Sequence, residues 1–170
     1  MKKTIRKIEL REWKTYRDLR LRSLADAPDA FGSTLALEQT RTDGQWASRL
    51  SSCEGSGQNL PLLAEVNGEP AGLAWGRIED DDPDTAFLYQ MWVAPSHRQR
   101  GIGKMLLDRV ISWAKESDAL ILHLGVTDRD SPAMRLYLRA GFEPSEEPRP
   151  LRAGSDLLGL PMELTLRSKS

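Results

Sequence analysis

The sequence predicts an α/β (α+β) fold, a mixed and mostly antiparallel twisted sheet of six to seven strands with about four helices. The first observation behind this prediction is a hairpin signal. Two apolar runs, residues 59–66 and 71–79, are joined by Asn67-Gly68, a dipeptide that accepts the positive φ angles of a tight turn. We therefore expect the two runs to be adjacent antiparallel strands.

The second and third observations come from the middle of the chain. Residues 86–93 form another apolar run, and apolar side chains then recur at helical spacing from Ile102 to Ala114. Residues 119–126, rich in Leu, Ile and Val, follow this helix. A strand, a helix and a second strand in succession form a βαβ unit, so its two strands are expected to be parallel.

The remaining elements follow from local patterns. Residues 4–10 indicate a first strand, and residues 13–25 indicate a helix that ends before Pro28. Ser131-Pro132 is typical of a helix start, and Gly141 is typical of a helix end. A helix at residues 43–50, a closing strand at residues 162–166, and loops at residues 30–34 and 51–57 complete the prediction.

Composition limits the classes of function. The 170 residues suit one domain, residues 1–170, and 24 basic against 25 acidic residues leave a formal net charge of −1. No global field therefore favours nucleic acid or an anionic membrane. The single Cys53 excludes an internal disulfide, and no Cys/His spacing indicates a metal site. With no signal-peptide or membrane-spanning pattern, we expect a cytoplasmic, reduced protein.

The most informative segment is the turn at residues 93–104, where a strand ends and a helix begins. Its two glycines let a ligand approach the backbone closely, and the first amides of a helix have no partners within it. Such a turn suits a phosphate or pyrophosphate, and its basic side chains add local positive charge. The candidate cofactor-binding residues here are Arg98, Gln99, Arg100, Gly101, Ile102, Gly103 and Lys104.

Two other phosphate-binding motifs do not fit this turn. A P-loop requires Ser or Thr after its lysine, and Lys104 is followed by Met105. A dinucleotide fingerprint requires a third glycine or alanine, and Leu106 stands at that position. A glycine-containing turn with solvated arginines is the alternative interpretation of the same residues.

Residues 86–142 resemble the GCN5-related N-acetyltransferase (GNAT) family. The acyl-CoA motif of that family, Arg/Gln-x-x-Gly-x-Gly/Ala, is matched by residues 98–103, and residues 89–95 look like its central strand. Residues 130–137, followed by Gly141-Phe142, are similar to its Asn-x-x-Ala-x-x-x-Tyr segment. The order of predicted strands and helices also agrees over nearly the whole chain.

The resemblance implies acyl transfer from acetyl-CoA, by default, to an amine, without a metal. It implies a bulged central strand splayed from its parallel neighbour, with pantetheine bonded to the main chain of Met91, Trp92 and Val93. It implies that Tyr137 contacts the cofactor and donates a proton to the departing thiolate, and that a backbone N–H near Trp92 or Val93 stabilises the oxyanion. Asp130 replaces the family's Asn and, as an anion, can only accept a hydrogen bond from pantetheine.

The general base is not indicated by the sequence. Relatives that acetylate protein N-termini often carry Glu where this chain has Gly125, and other relatives carry Glu on the central strand, where this chain has Tyr89 and Gln90. His123 is a candidate base, although a lone histidine on an apolar strand is more often a core residue. The acidic segment 79–84 is a candidate for relaying protons through water, although such a segment is usually just solvated.

The missing base favours acceptor amines of low pKa, either on a small molecule or on a peptide. A lysine-like amine costs ~4.6 kcal/mol to deprotonate at pH 7, against about 1.4 kcal/mol for an α-amine. Two other functions stay open: an acyl-CoA-binding or sensor domain without turnover, and a nucleic-acid module, which lacks the expected basic face. Family members are frequently homodimers, a state that the sequence does not decide.

Overall fold

The computed structural model describes residues 1–53 and 57–167, so part of the predicted loop at residues 51–57 lies outside the described residues. The elements follow one another along the chain as β1 (Lys3–Lys7), α1 (Trp13–Asp26), α2 (Leu35–Glu38), α3 (Asp43–Ser51), β2 (Asn59–Val66), β3 (Glu69–Glu79), β4 (Asp82–Val93), α4 (Ile102–Glu116), β5 (Ile121–Thr127), α5 (Pro132–Ala140), β6 (Glu143–Pro144), β7 (Arg149–Pro150) and β8 (Leu158–Thr165).

One sheet contains all the described strands, in the order β1-β2-β3-β4-β5-β8-β6, with β7 also paired to β8. Strands β4 and β5 are parallel, and the other pairings are antiparallel. The predicted fold class and the predicted parallel pair are therefore confirmed. The sheet has eight strands rather than six or seven because β6 and β7, of two residues each, are too short to show a pattern.

The predicted hairpin between β2 and β3 is present. Val66 pairs with Glu69, and the two turn residues have positive φ angles, 52° at Asn67 and 83° at Gly68. Both angles belong to the turn type that matches the twist of paired strands. Strand β4 begins earlier than expected, since a pairing of Glu79 with Asp82 brings the acidic segment into a second hairpin.

Helix α2 was not predicted, and with it the described residues contain five helices rather than four. It has four residues, which is too short for a helical period, and Thr34 caps it by accepting a hydrogen bond from the Leu37 amide at 3.2 Å. A 3-10 turn at Pro28–Ala30 includes the first residue of the predicted loop at residues 30–34, and α2 begins directly after its last residue. Residues 31–34 have neither helix nor strand, as predicted.

Two apolar cores cover the two faces of the sheet. One face packs against α4 and α5 through residues such as Leu88, Leu106 and Leu122. The other face packs against α1 and α3 through residues such as Tyr16 and Trp46. None of the helices in the described ranges is long and apolar enough to span a membrane.

Candidate active site

The turn between β4 and α4 is shaped by left-handed backbone. Gln99 has a φ of 63° and Gly101 a φ of 79°, and α4 begins at Ile102. A side chain at Gly101 would be strained by this φ, whereas glycine adopts it freely. The side chain of Ile102 is buried in the core and fixes the turn there. Only the backbone of Ile102 is therefore left to contact a ligand at the turn.

The backbone amides of this turn are free. Arg98 N–H donates weakly to the Pro95 carbonyl at 3.4 Å, and Met105 N–H donates to the Gly101 carbonyl at 3.0 Å. Between them, the N–H groups of residues 99–104 have no acceptor among residues 1–53 and 57–167. A row of unpaired donors at the positive end of a fifteen-residue helix is suited to an anion.

A gap opens beside this turn because β4 and β5 pair over only part of their length. Their register runs from Thr85 opposite Ile121 to Phe87 opposite His123, whereas β4 continues to Val93 and β5 to Thr127. The strands therefore diverge toward the end at which the turn lies.

A bulge in β4 lies where the gap opens. Trp75 of β3 is opposite Tyr89 and Leu73 is opposite Trp92, so β4 contains one residue more than its partner. Gln90, within the bulge, has a φ of 59°. Bulges redirect the backbone and release strand amides from pairing. The bulge and the splay that the family resemblance implied are both present.

The amide direction beyond the bulge identifies the N–H that faces the gap. Ala94 N–H donates to the Ala71 carbonyl on the β3 side at 2.8 Å. Because successive amides of a strand point to opposite sides, the N–H of Val93 points toward the gap. Between the two residues considered for the oxyanion, this geometry favours Val93 over Trp92.

The Arg98 side chain links the turn to the end of β4 and to α1. Its Nε donates to the Val93 carbonyl at 2.9 Å, and its Nη2 donates to Asp26 Oδ2 at 2.5 Å. The same Asp26 oxygen accepts the indole N–H of Trp92 at 2.9 Å. These contacts, the Trp92 hydrogen bond foremost, lower the pKa of Asp26 and keep it ionised. Sequence reasoning missed Asp26, since it lies on α1 outside every motif.

The other charged residues of the predicted site differ in their availability. Lys104 Nζ is 2.7 Å from Asp108 Oδ2 on the exposed side of α4, and Arg100 Nη1 is 3.6 Å from Met1 Sδ. Asp130 is exposed, and Arg135 binds both of its oxygens and lowers its pKa. Asp130 therefore remains an anion whose strongest contact is within the protein.

Tyr137 lies in α5, the helix that follows β5. A Cβ added to Gly103 would be 3.5 Å from Leu136 Cδ2 and 3.8 Å from Val93 Cγ2, so α5 meets the start of α4 and the end of β4 there. The Tyr137 ring is 5 % exposed and packs edge-on against Phe142. Its hydroxyl has no hydrogen-bond partner among the described residues. Burial raises the Tyr137 pKa and keeps the phenol protonated.

The candidate bases are placed differently from the expectation. His123 is on the open face of the sheet rather than in the core: its ring stacks on Phe87, and its Nε2 is 3.5 Å from Glu163 Oε2. The core interpretation of His123 is therefore wrong. At Gly125, an added Cβ would meet nothing within 4 Å, so open space adjoins the gap. Glu79 pairs with Arg77 at the hairpin tip, at the far end of β4 from the bulge.

The fold and the geometry of this site agree with a known family of proteins. A model of the Acetyltransferase (GNAT) family matches residues 13–142, and the chain belongs to that family. An acetyltransferase of this family from Streptococcus pneumoniae superposes with a TM-score of 0.82 at 22% identity, over 98% of this chain and 100% of that one. A Salmonella typhimurium structure, solved with its cofactor acetyl-CoA, gives 0.81 at 20% identity over 100% and 97%. Both show the shared fold.

Curated relatives match a shorter segment. An uncharacterized N-acetyltransferase of Methanocaldococcus jannaschii is 34% identical over 91 residues, which are 50% of this chain and 39% of that protein. The L-2,4-diaminobutyric acid acetyltransferase of Nocardia farcinica is 31% identical over 72 residues, 42% of this chain and 37% of its own length. The chain thus spans well under half the length of these relatives.

Proposed function

We propose that this chain transfers an acetyl group from acetyl-CoA to a primary amine of a small-molecule or peptide acceptor, by direct attack of the amine on the thioester. One observation carries the proposal: unpaired backbone amides at residues 99–104 lie beside a gap between two parallel strands. Helix α5, which carries Tyr137, meets the start of α4 and the end of β4 at the same place. Acetyl-CoA has matching parts, a diphosphate, a slender amide-containing arm and a thioester.

The turn would hold the diphosphate mainly through its backbone. The N–H groups of residues 99–104 supply the hydrogen bonds, and Arg100 and Lys104 add positive charge at the rim. Arg98 contributes by fixing the turn to Asp26 and to the end of β4. The free edge of β4 at Met91, Trp92 and Val93 would bind the pantetheine arm as a strand-like partner, and Asp130 is available to accept one of its hydrogen bonds.

The chemical step needs two hydrogen-bond donors from the protein. The Val93 N–H stabilises negative charge on the carbonyl oxygen as the amine attacks. The Tyr137 hydroxyl donates to the sulfur as the C–S bond breaks. Because an ordinary Tyr pKa of about 10 already exceeds that of a thiol, about 8.5, and burial raises it further, Tyr137 assists through a hydrogen bond rather than by complete proton transfer. Coenzyme A would therefore leave as its thiolate, and the proton lost by the attacking nitrogen would pass to water.

The site would act on amines that lose their proton readily. Where relatives carry a basic Glu, this chain has Gly125 on one strand and Tyr89 and Gln90 on the central strand, and none of the three accepts a proton at neutral pH. An α-amine needs about 1.4 kcal/mol to deprotonate at pH 7, against ~4.6 kcal/mol for a lysine-like amine. We propose that residues 1–170 form a single catalytic domain without a metal, in the cytoplasm, where Cys53, the single cysteine of the sequence, would stay reduced.

The test is a panel of primary amines incubated with the protein and acetyl-CoA, with free thiol as the readout. We expect thiol release above the no-protein control for at least one amine, together with a mass increase of that amine by one acetyl group. If thiol never exceeds the control while acetyl-CoA still raises the melting temperature, the chain is an acyl-CoA-binding or sensor domain instead.

A further inference from the structure

A buried glutamate that is surrounded by three arginines lies near the bulge of β4, on the face of the sheet that packs against α1. Glu38 of α2, which is 2 % exposed, accepts hydrogen bonds from Arg41 Nε at 3.0 Å and Arg49 Nη1 at 3.1 Å, and Arg20 Nε is 3.7 Å from it. We name these four residues the arginine cluster. Three guanidinium groups thus converge on one carboxylate, which leaves an excess of positive charge.

Arg20 is the member of the arginine cluster that has nitrogen donors without hydrogen-bond partners. It is 5 % exposed, and its Nε and Nη1 have no hydrogen-bond partner among the described residues. Buried donors without partners are rare in folded proteins, because each one loses its hydrogen bonds to water. Burial accordingly lowers the pKa of Arg20, although a guanidinium stays charged.

The arginine cluster adjoins the open end of the gap on the side away from α4. The Tyr16 hydroxyl donates to Gln90 Oε1 in the bulge at 2.8 Å, and Arg49 Nη1 is 3.4 Å from the same hydroxyl. The guanidinium of Arg20 lies 4.8 Å from the centre of the Phe31 ring.

The segment that carries Phe31 crosses from α1 to the end of β5. There the Asp29 carbonyl accepts a hydrogen bond from the Thr127 hydroxyl at 2.5 Å. Arg20, on α1, therefore faces a segment that reaches the end of β5.

We infer that the acceptor carries a carboxylate beside its amine, and that Arg20 binds this carboxylate. This inference rests on the proposed acetyl transfer and specifies its substrate class. A carboxylate accepts charged hydrogen bonds from a guanidinium, and it supplies the negative charge that the arginine cluster lacks. The arginine cluster would repel a polyamine or a lysine side chain at the same place, and the acidic hairpin tip, which would attract such a cation, lies at the far end of β4.

The test compares acceptors that differ only in this charge: β-alanine with β-alaninamide and glycine with glycinamide, each with acetyl-CoA and the full chain. The amides are the less basic amines, so a preference for the acids does not arise from amine reactivity. We expect kcat/KM to be about 10-fold or more higher for the acids, as one charged hydrogen bond would give. Arg20→Met should reduce that ratio to about one by raising KM for the acids.

Arg17→Met is the matched control, because it removes one positive charge from the same helix at a residue paired with Asp18 and Asp43. It should leave the acid-to-amide ratio unchanged. Equal rates for acids and amides in the unmodified protein would overturn the inference, as would an equal loss of the ratio in both variants.

A binding measurement separates this inference from the proposed reaction. If no amine releases thiol, the proposed acetyl transfer fails, and calorimetry with coenzyme A present compares N-acetyl-β-alanine with its amide. Tighter binding of the acid that Arg20→Met abolishes supports a carboxylate site. Equal binding, or binding of neither, contradicts it. Should Arg20→Met not fold, Arg20→Lys retains the charge without the paired donors and should weaken binding of the acid by about 10-fold.

Discussion

Replacing Tyr137 by Phe removes one oxygen atom from the site and tests its role directly. The hydroxyl has no partner among the described residues, so its loss leaves no protein group unsatisfied, and the free energy of unfolding should change by about 0.5 kcal/mol or less. A hydrogen bond to developing negative charge is worth about 1.5–3 kcal/mol. The variant should therefore lower kcat by about 10- to 150-fold.

The assay for Tyr137→Phe measures three quantities on the same sample: kcat from thiol release, the Kd of coenzyme A from calorimetry, and the melting temperature. We expect the first alone to change. Leu138→Ala, on the exposed side of α5, is the control for disturbance of the helix and should keep full activity. Equal losses of kcat and coenzyme A affinity, or an unchanged kcat, would refute the assignment of Tyr137 as hydrogen-bond donor to the departing sulfur.

Four further outcomes are expected. Because burial raises the Tyr137 pKa, the protein should retain this donor above pH 10, and kcat should show no falling limb there until the protein unfolds. Gly72→Ala places a Cβ 2.6 Å from a carbonyl oxygen of β4 and should lower the free energy of unfolding by about 1–3 kcal/mol in denaturant titrations, whereas Gly125→Ala meets nothing within 4 Å and should be neutral. Asp26→Asn removes the charge that holds Arg98 and should raise the Kd of coenzyme A by about 5-fold in calorimetry. Burial alone would raise the pKa of Glu38, but hydrogen bonds and charge from Arg41 and Arg49 lower this pKa on balance. The resulting contribution to the free energy of unfolding is present above pH ~4.3 and is lost as acid protonates Glu38 below that pH. This loss should be missing from the acid-unfolding curve of Glu38→Gln.

The sequence predicted those parts of the fold that are encoded locally. The Asn67-Gly68 turn requires positive φ, and residues 102–114 carry one continuous helical period, so both appear where expected. The strand predicted at residues 119–126 is present at residues 121–127, but the interpretation of His123 as a core residue was wrong. The buried side chains of this strand, Leu122 and Leu124 among them, alternate with His123. The period of two therefore places His123 on the other face, which the apolar composition of the whole run does not show.

The candidate site was predictable where it consists of backbone. The sequence shows two glycines and a helix start at residues 101–103, and the first amides of a helix have no partners within it. These amides have no backbone acceptor among the described residues. The side chains that support the site were not predictable, because they meet it from distant segments. Asp26 reaches Trp92 and Arg98 across more than sixty residues, and Tyr16 reaches Gln90 from α1. No spacing in the sequence records contacts of this kind.

In the proposed complex, the backbone at residues 99–104 binds the diphosphate of coenzyme A, and the splayed edge of β4 binds its pantetheine arm. Amide resonances of uniformly ¹⁵N-labelled protein, followed during titration with coenzyme A and separately with pantetheine, test both halves at once. We expect the amide resonances of residues 91–93 to shift with both compounds and those of residues 99–104 to shift with coenzyme A alone. Resonances of residues 99–104 that stay unmoved by saturating coenzyme A would contradict it.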